Sequence, residues 1–190
     1  MIITLASWPR LRAGACALIG TLLLIARADA AVAPAPEGIE VLSRQLVALS
    51  RSVRPDEAKR LAAQAHLGSI GLARHYRPVG PPQFHNFLVN AGLKQRGLCH
   101  HWARDLGDRL AALRLRTLGL RWAIARGGTL REHNAVVVTA RGQRFEDGIV
   151  LDAWRYSGQL YAGPVAGDKY PWKEDPADSF AASRQRRITR

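Results

Sequence analysis

The stretch Arg96-Gly97-Leu98-Cys99-His100-His101-Trp102-Ala103 decides how the rest of the chain is read. Cys99, Ala103, Leu106 and Leu110 recur at helical spacing, so the cysteine opens a helix buried along one face. Gly97 marks the turn into it. Downstream the period changes. Leu118 to Ala125 (LGLRWAIA) alternates and is closed by Gly127-Gly128, which reads as a strand. His133 to Ala140 (HNAVVVTA) is rich in β-branched residues, and Ile149-Val150-Leu151-Asp152 reads as the next strand. Arg141-Gly142-Gln143 makes the turn between them, and Arg144 to Gly148 is expected to hold a bulge.

Upstream the pattern is helical. Ile39, Leu42, Leu46 and Leu49 give a first amphipathic helix. Arg54-Pro55-Asp56-Glu57 starts a second, with proline and acids in its first turn. Its seam of Ala58, Leu61, Ala65, Gly68 and Leu72 is small and should pack closely on a neighbour, while His66 and His75 read as solvated or core-edge residues. Arg77 to Pro82 is a loop, and Phe84 to Asn90 a short helix leading to Gly92. Asp105 and Arg109, one turn apart, are expected to support each other on the outside of the cysteine helix. From about residue 155 the glycines and prolines (Gly163-Pro164, Gly167, Pro171, Pro176) predict a loop-rich region, ending in a basic tail with Arg184, Arg186, Arg187 and Arg190. Helices first and an antiparallel sheet after them predict an α+β fold.

The 190 residues suit a single domain. Residues 1–30 read as an export signal: Arg10 and Arg12, an apolar run from Ala13 to Ala26, then Ala28-Asp29-Ala30 with cleavage expected after Ala30. The run is short for a membrane span, although Arg27 leaves a retained anchor as the alternative. Residues 31–38 then form a linker and 39–190 the domain, periplasmic or secreted and not stably inserted in a membrane. Cys16 precedes the apolar run, the wrong order for a lipoprotein site, and departs with the signal. Cys99 remains without a disulfide partner in an oxidising compartment. The net charge of +13 favours anionic partners such as headgroups, envelope polymers or an acidic protein. Export and the lack of a recognition-helix or stacking motif argue against nucleic acid.

Chemistry is expected where Cys99, His133 and Asp152 meet. A thiol reacts as thiolate, which the first turn of a helix and a neighbouring imidazolium both favour. His133 would supply the imidazolium if its strand lies against the helix start. Asp152 would hold the other ring nitrogen, provided both side chains face the same side of the sheet. Glu132 should face away from His133, and Asp147 belongs to the bulge or turn. For an oxyanion the backbone N–H of Cys99 is the nearest donor, with Gln83, Asn86, Asn90 or Gln95 as side-chain candidates. Asn86 and Asn90 recur at one helical turn; either can equally be a cap or loop contact. Asn134 should point to the strand face opposite His133 and reads as structural. Trp102 and Trp122 read as core, and Trp154 as core or a wall of the cleft. Cys99, His100, His101 and His133 were the material for a zinc site, but adjacent helical residues diverge and no Cys-x-x-Cys or His-x-x-x-His occurs. No metal and no cofactor are expected.

These segments resemble the transglutaminase-like, papain-like cysteine protease superfamily. Gly97-Leu98-Cys99-His100-His101-Trp102-Ala103 looks like its Gly-x-Cys…Ala motif, His133 to Val138 like its histidine strand, and Leu151-Asp152-Ala153-Trp154 like its aspartate strand. The resemblance spans roughly Leu88 to Trp154, and the His100-His101 pair departs from the pattern. It implies nucleophile Cys99, base His133 and orienting Asp152 on a helix-plus-sheet core. It also implies an exported hydrolase cleaving an amide, with a protein or cell-wall peptide as substrate. The alternatives are a catalytically inactive domain of this type with an envelope-binding or scaffold role, and a redox-sensing thiol protein.

Overall fold

The computed structural model describes residues 36–175 and Phe180, all within one compact unit, Val32–Arg190. The expected signal peptide, its cleavage site and the basic tail lie outside the described residues. Among the described residues the fold is α+β: four helices, then an antiparallel sheet of five strands. The helices are α1 (Pro36–Ala48), α2 (Pro55–Tyr76), α3 (Pro82–Asn90) and α4 (Cys99–Ala111). The strands are β1 (Leu118–Ala125), β2 (His133–Ala140), β3 (Ile149–Asp152), β4 (Tyr161–Pro164) and β5 (Trp172–Glu174), in the order β4-β3-β2-β1-β5.

Helix α1 begins at Pro36, inside the segment expected to be linker, because proline is tolerated in a first turn. Its Gly38 lies against the ring of His66, which therefore packs α2 on α1. The small seam of α2 is buried as its spacing requires, and Gly68 comes close to Leu106 of α4. Glu57, in the first turn of α2, is 2 % exposed and accepts the N–H groups of Arg116, Thr117 and Leu118 at 2.9 Å each. Burial alone would raise its pKa. The three N–H groups and the Thr117 hydroxyl outweigh that and hold the carboxyl below its ordinary value. One buried carboxylate thus fixes where β1 begins.

Two expectations fail here. Asp105 does not pair with Arg109: it takes Arg96 at 2.8 and 2.9 Å and the Tyr76 hydroxyl, while Arg109 reaches the Gly68 carbonyl. Asp105 is half-buried beside Tyr76 and Arg96, while Arg109 remains exposed. The region after 155 is not simply loop, for β4 pairs with β3 and β5 with β1. Pro164 and Pro171 hid these strands; proline is compatible with edge strands, and both strands are edges.

The sheet has two buried faces. Trp122, Val136, Val138, Ile149 and Leu151 meet the helices. Ala123, Ala125, Ala135, Val137 and Val150 are covered from the other side by Phe145, Val165 and Trp172. This explains why β2 is buried at every position. Residues 145–147 form a single 3₁₀ turn rather than a bulge, so the pairing of β2 with β3 stays regular: Val136 opposite Leu151, Val137 opposite Val150.

Candidate active site

That register sets the geometry. Asp152 follows Leu151 and so falls beside Ala135, on the face shared with His133. The two meet diagonally, His133 Nε2 lying 2.7 Å from Asp152 Oδ2. Both are buried, at 3 % and 1 % exposure. The other carboxylate oxygen accepts the backbone N–H groups of Trp154 at 3.1 Å and Arg155 at 3.0 Å. Asp152 therefore cannot swing without breaking its own turn.

Arg155 completes this arrangement. Its Nε donates to Asp152 Oδ2 at 3.0 Å and its Nη2 to Asp168 Oδ2 at 2.8 Å, with the guanidinium 3.6 Å from the centre of the Tyr161 ring. Trp172 Nε1 donates to the same Asp168 oxygen. The His133 ring sits among Trp154, Tyr170 and Trp172, with ring centres 4.6, 4.6 and 5.2 Å away. Arg155, Asp168, Tyr170 and Trp172 went unnoticed in the sequence. The legible hint was Arg155 three residues after Asp152; the others come from a segment read as loop.

Cys99 is the first residue of α4. The entry of the chain into this helix is tightly held. His85, 1 % exposed, accepts the Val79 N–H on Nδ1, so its Nε2 donates to the Arg96 carbonyl at 3.0 Å. Gly97, at φ 123°, lies against that ring, and a Cβ there would stand 2.2 Å from His85 Nε2. Glycine is required on both counts. His101 turns back and accepts the N–H groups of Gly97 and Leu98 on Nδ1, capping the helix. Burial, then His100 and Arg96, bring its pKa down to about 4, so it is a neutral acceptor. Trp102 Nε1 donates to the Gly97 carbonyl at 2.9 Å.

The thiol, 8 % exposed, is surrounded by the start of β2. It faces the Glu132 carbonyl at 3.7 Å and Asn134 Nδ2 at 3.8 Å. His133 lies between these two residues in the chain. Its Nδ1, the nitrogen Asp152 does not hold, is buried without a hydrogen-bond partner among the described residues. Burial would lower the imidazolium pKa, but Asp152 and then Cys99 outweigh it and raise it to about 9. Burial likewise opposes the charge of Asp152, and His133 and Arg155 hold its pKa below the ordinary value.

Asn134 does face away from His133, as alternation requires, but that face is the one α4 covers. The residue read as structural therefore stands beside the sulfur. An indole N–H can only donate, so the Trp122 contact at 2.9 Å fixes Asn134 Oδ1 and turns Nδ2 toward Cys99 and Glu132 Oε1. Of the upstream amides, the fold brings Asn86 to the site: its Oδ1 accepts from Trp154 Nε1 at 3.0 Å. Gln83, Asn90 and Gln95 are exposed and make no hydrogen bond to the three residues. Glu132 is bonded to Asn134 and Gly128 rather than to His133, and Asp147 pairs with Arg144.

A cleft of about 520 Å³ opens beside the α4 N-terminus, lined by Arg96, His100, Arg104, Trp122, Glu132 and Asn134 among others. A larger groove, about 660 Å³, lies at the opposite end of α4 against Leu115, Leu120 and Arg141. Among the described residues no three His, Cys, Asp or Glu side chains are grouped to hold a metal ion, and no helix is long and apolar enough to cross a membrane. Compared with known protein families, curated proteins and solved structures, the chain matches none of them.

Proposed function

We propose that the chain is a cysteine hydrolase of transglutaminase-like, papain-like type, acting on amide bonds outside the cytoplasm. The observation that carries this reading is the buried His133–Asp152 pair at 2.7 Å, with the Cys99 thiol, at the first residue of α4, facing Glu132 and Asn134, the two residues that flank His133 in the chain. An imidazolium beside a sulfur favours the thiolate. The thiolate attacks the carbonyl carbon, a C–S bond forms, and negative charge moves to the oxygen. The Cys99 N–H and Asn134 Nδ2 are the donors nearest that oxygen. His133 then delivers its proton to the leaving nitrogen as the C–N bond breaks, which leaves a thioester. Water attacks the thioester as His133 takes its proton, the C–S bond breaks, and the carboxylic acid departs, leaving the Cys99 thiolate beside the His133 imidazolium. Asp152 and Arg155 keep the ring aimed throughout. The resemblance favours a peptide as substrate, whether in a protein or in a cell-wall crosslink.

A catalytically silent domain with an envelope-binding role is the second reading, favoured by the 8 % exposure of the thiol. Two probes separate them. Iodoacetamide should alkylate Cys99 rapidly well below pH 8, and His133→Ala should slow it. An activated aryl ester should give a burst of phenolate and an acyl adduct on Cys99. Asn134→Ala should cut acylation about 100-fold, with far less effect on alkylation, which develops no oxyanion. Alkylation that rises with pH as for a free thiol, together with no acyl adduct, would overturn the hydrolase reading.

A further inference from the structure

Helix α3 and the two loops that flank it, residues 77–96, form a small closed unit. His85 bridges the Val79 N–H and the Arg96 carbonyl, and Lys94 Nζ reaches the Arg77 carbonyl at 3.5 Å, so the two loops lie side by side. His85 is the buried pin, and the outer surface is unusually apolar. Val79, Phe84, Phe87 and Leu93 are 44, 48, 62 and 70 % exposed, half of the large hydrophobic side chains exposed among the described residues. The Phe84 and Phe87 rings stack with centres 6.3 Å apart, and Phe84 folds over Gly80 next to Val79. Phe84, Phe87 and the Val79–Gly80 turn thus form one patch, and Leu93 is exposed in the loop beyond the helix.

Its electrostatic setting is one-sided. From Ala58 to Arg104 the chain contains no aspartate or glutamate, and of its cations Lys59, Arg60 and Arg96 are taken up by Glu40, Asp56 and Asp105. Arg77 and Lys94 border the patch itself. Aromatic and aliphatic side chains ringed by cations are the composition that partitions into the headgroup region of an anionic bilayer.

We propose that this unit docks the protein on an anionic lipid surface, Phe84, Phe87 and Leu93 entering the interface and Arg77 and Lys94 meeting headgroups. Asn86 of the same helix is bonded to Trp154, whose ring packs on His133, so docking holds the thiol site close to the bilayer. Proposed catalysis and lipid docking remain separable.

The test uses the chain from Val32 onward, which forms a compact unit, and sedimentation with vesicles. Phosphatidylglycerol vesicles should carry the protein down, and phosphatidylcholine vesicles should not. Raising salt should weaken binding. Phe84→Ser with Phe87→Ser should weaken it by about tenfold per ring. Unchanged thermal melting and unchanged alkylation of Cys99 in this variant would show that the fold and the site are intact. Equal binding by the variant, binding to neither vesicle, or equal binding to both would each overturn the proposal.

Discussion

Replacing Asp152 by asparagine should abolish a specific pH dependence of stability. In the native protein the His133 imidazolium has its pKa raised from 6.5 to about 9, chiefly by Asp152, in a position 3 % exposed. A group whose pKa rises on folding stabilises the native state fully below its unfolded value. That stabilisation is lost as pH climbs through the folded value. The interval from 6.5 to about 9 corresponds, at about 1.36 kcal/mol per pH unit, to roughly 3 kcal/mol. Urea unfolding followed by tryptophan fluorescence at intervals between pH 6 and 10 measures it. The experiment is cleanest on Cys99→Ala, which removes the thiol's own titration and its smaller share of the shift. Stability of that protein should fall by about 2–3 kcal/mol across the window, and the further change Asp152→Asn should leave a nearly flat profile. A flat profile with Asp152 present, or an unaltered slope with asparagine, would refute the buried ion pair. At the acid end the sign reverses. Asp152 has a lowered pKa, so its contribution is present above its ordinary value of 3.8 and is lost as pH falls through the folded one.

Two further changes test the supports of the site. Gly97→Ala places a methyl group against His85 at a φ of 123° and should destabilise the fold by about 2–4 kcal/mol, read as a lowered Tm. A Tm within a degree or two of the parent's would show that the His85 contact does not constrain the approach to Cys99. Arg155→Met removes the cation shared by Asp152 and Asp168, leaving two buried carboxylates facing each other. A loss of about 3–5 kcal/mol in urea unfolding at pH 7 is expected, shrinking as the pH is lowered and the carboxyls take up protons.

The apolar patch and the approach to the thiol stand on different properties of one segment. Residues 77–96 turn His85 inward to hold Gly97 and turn Phe84 and Phe87 outward, so a single short helix serves the approach to Cys99 and the outer surface together.

Local patterns determined much of this protein. The bounds of β1, β2 and β3 and the start of α4 could be read from alternation, β-branching and a buried helical stripe, because burying one face imposes a period on each segment. Cys99 at a helix start, and His133 and Asp152 on strands, followed from the same patterns. Tertiary structure alone decided which groups touch. The β2–β3 register placed Asp152 diagonally from His133, since a slip of one residue would have sent it to the opposite face. Packing of α4 on the sheet turned Asn134 into a neighbour of the thiol, a relation between surfaces that no spacing along the chain encodes. The connection from β4 to β5 delivered Arg155's second partner, Asp168, and Tyr170, and β5 delivered Trp172. Prolines obscured both edge strands locally, and pairing with distant strands is what made them strands.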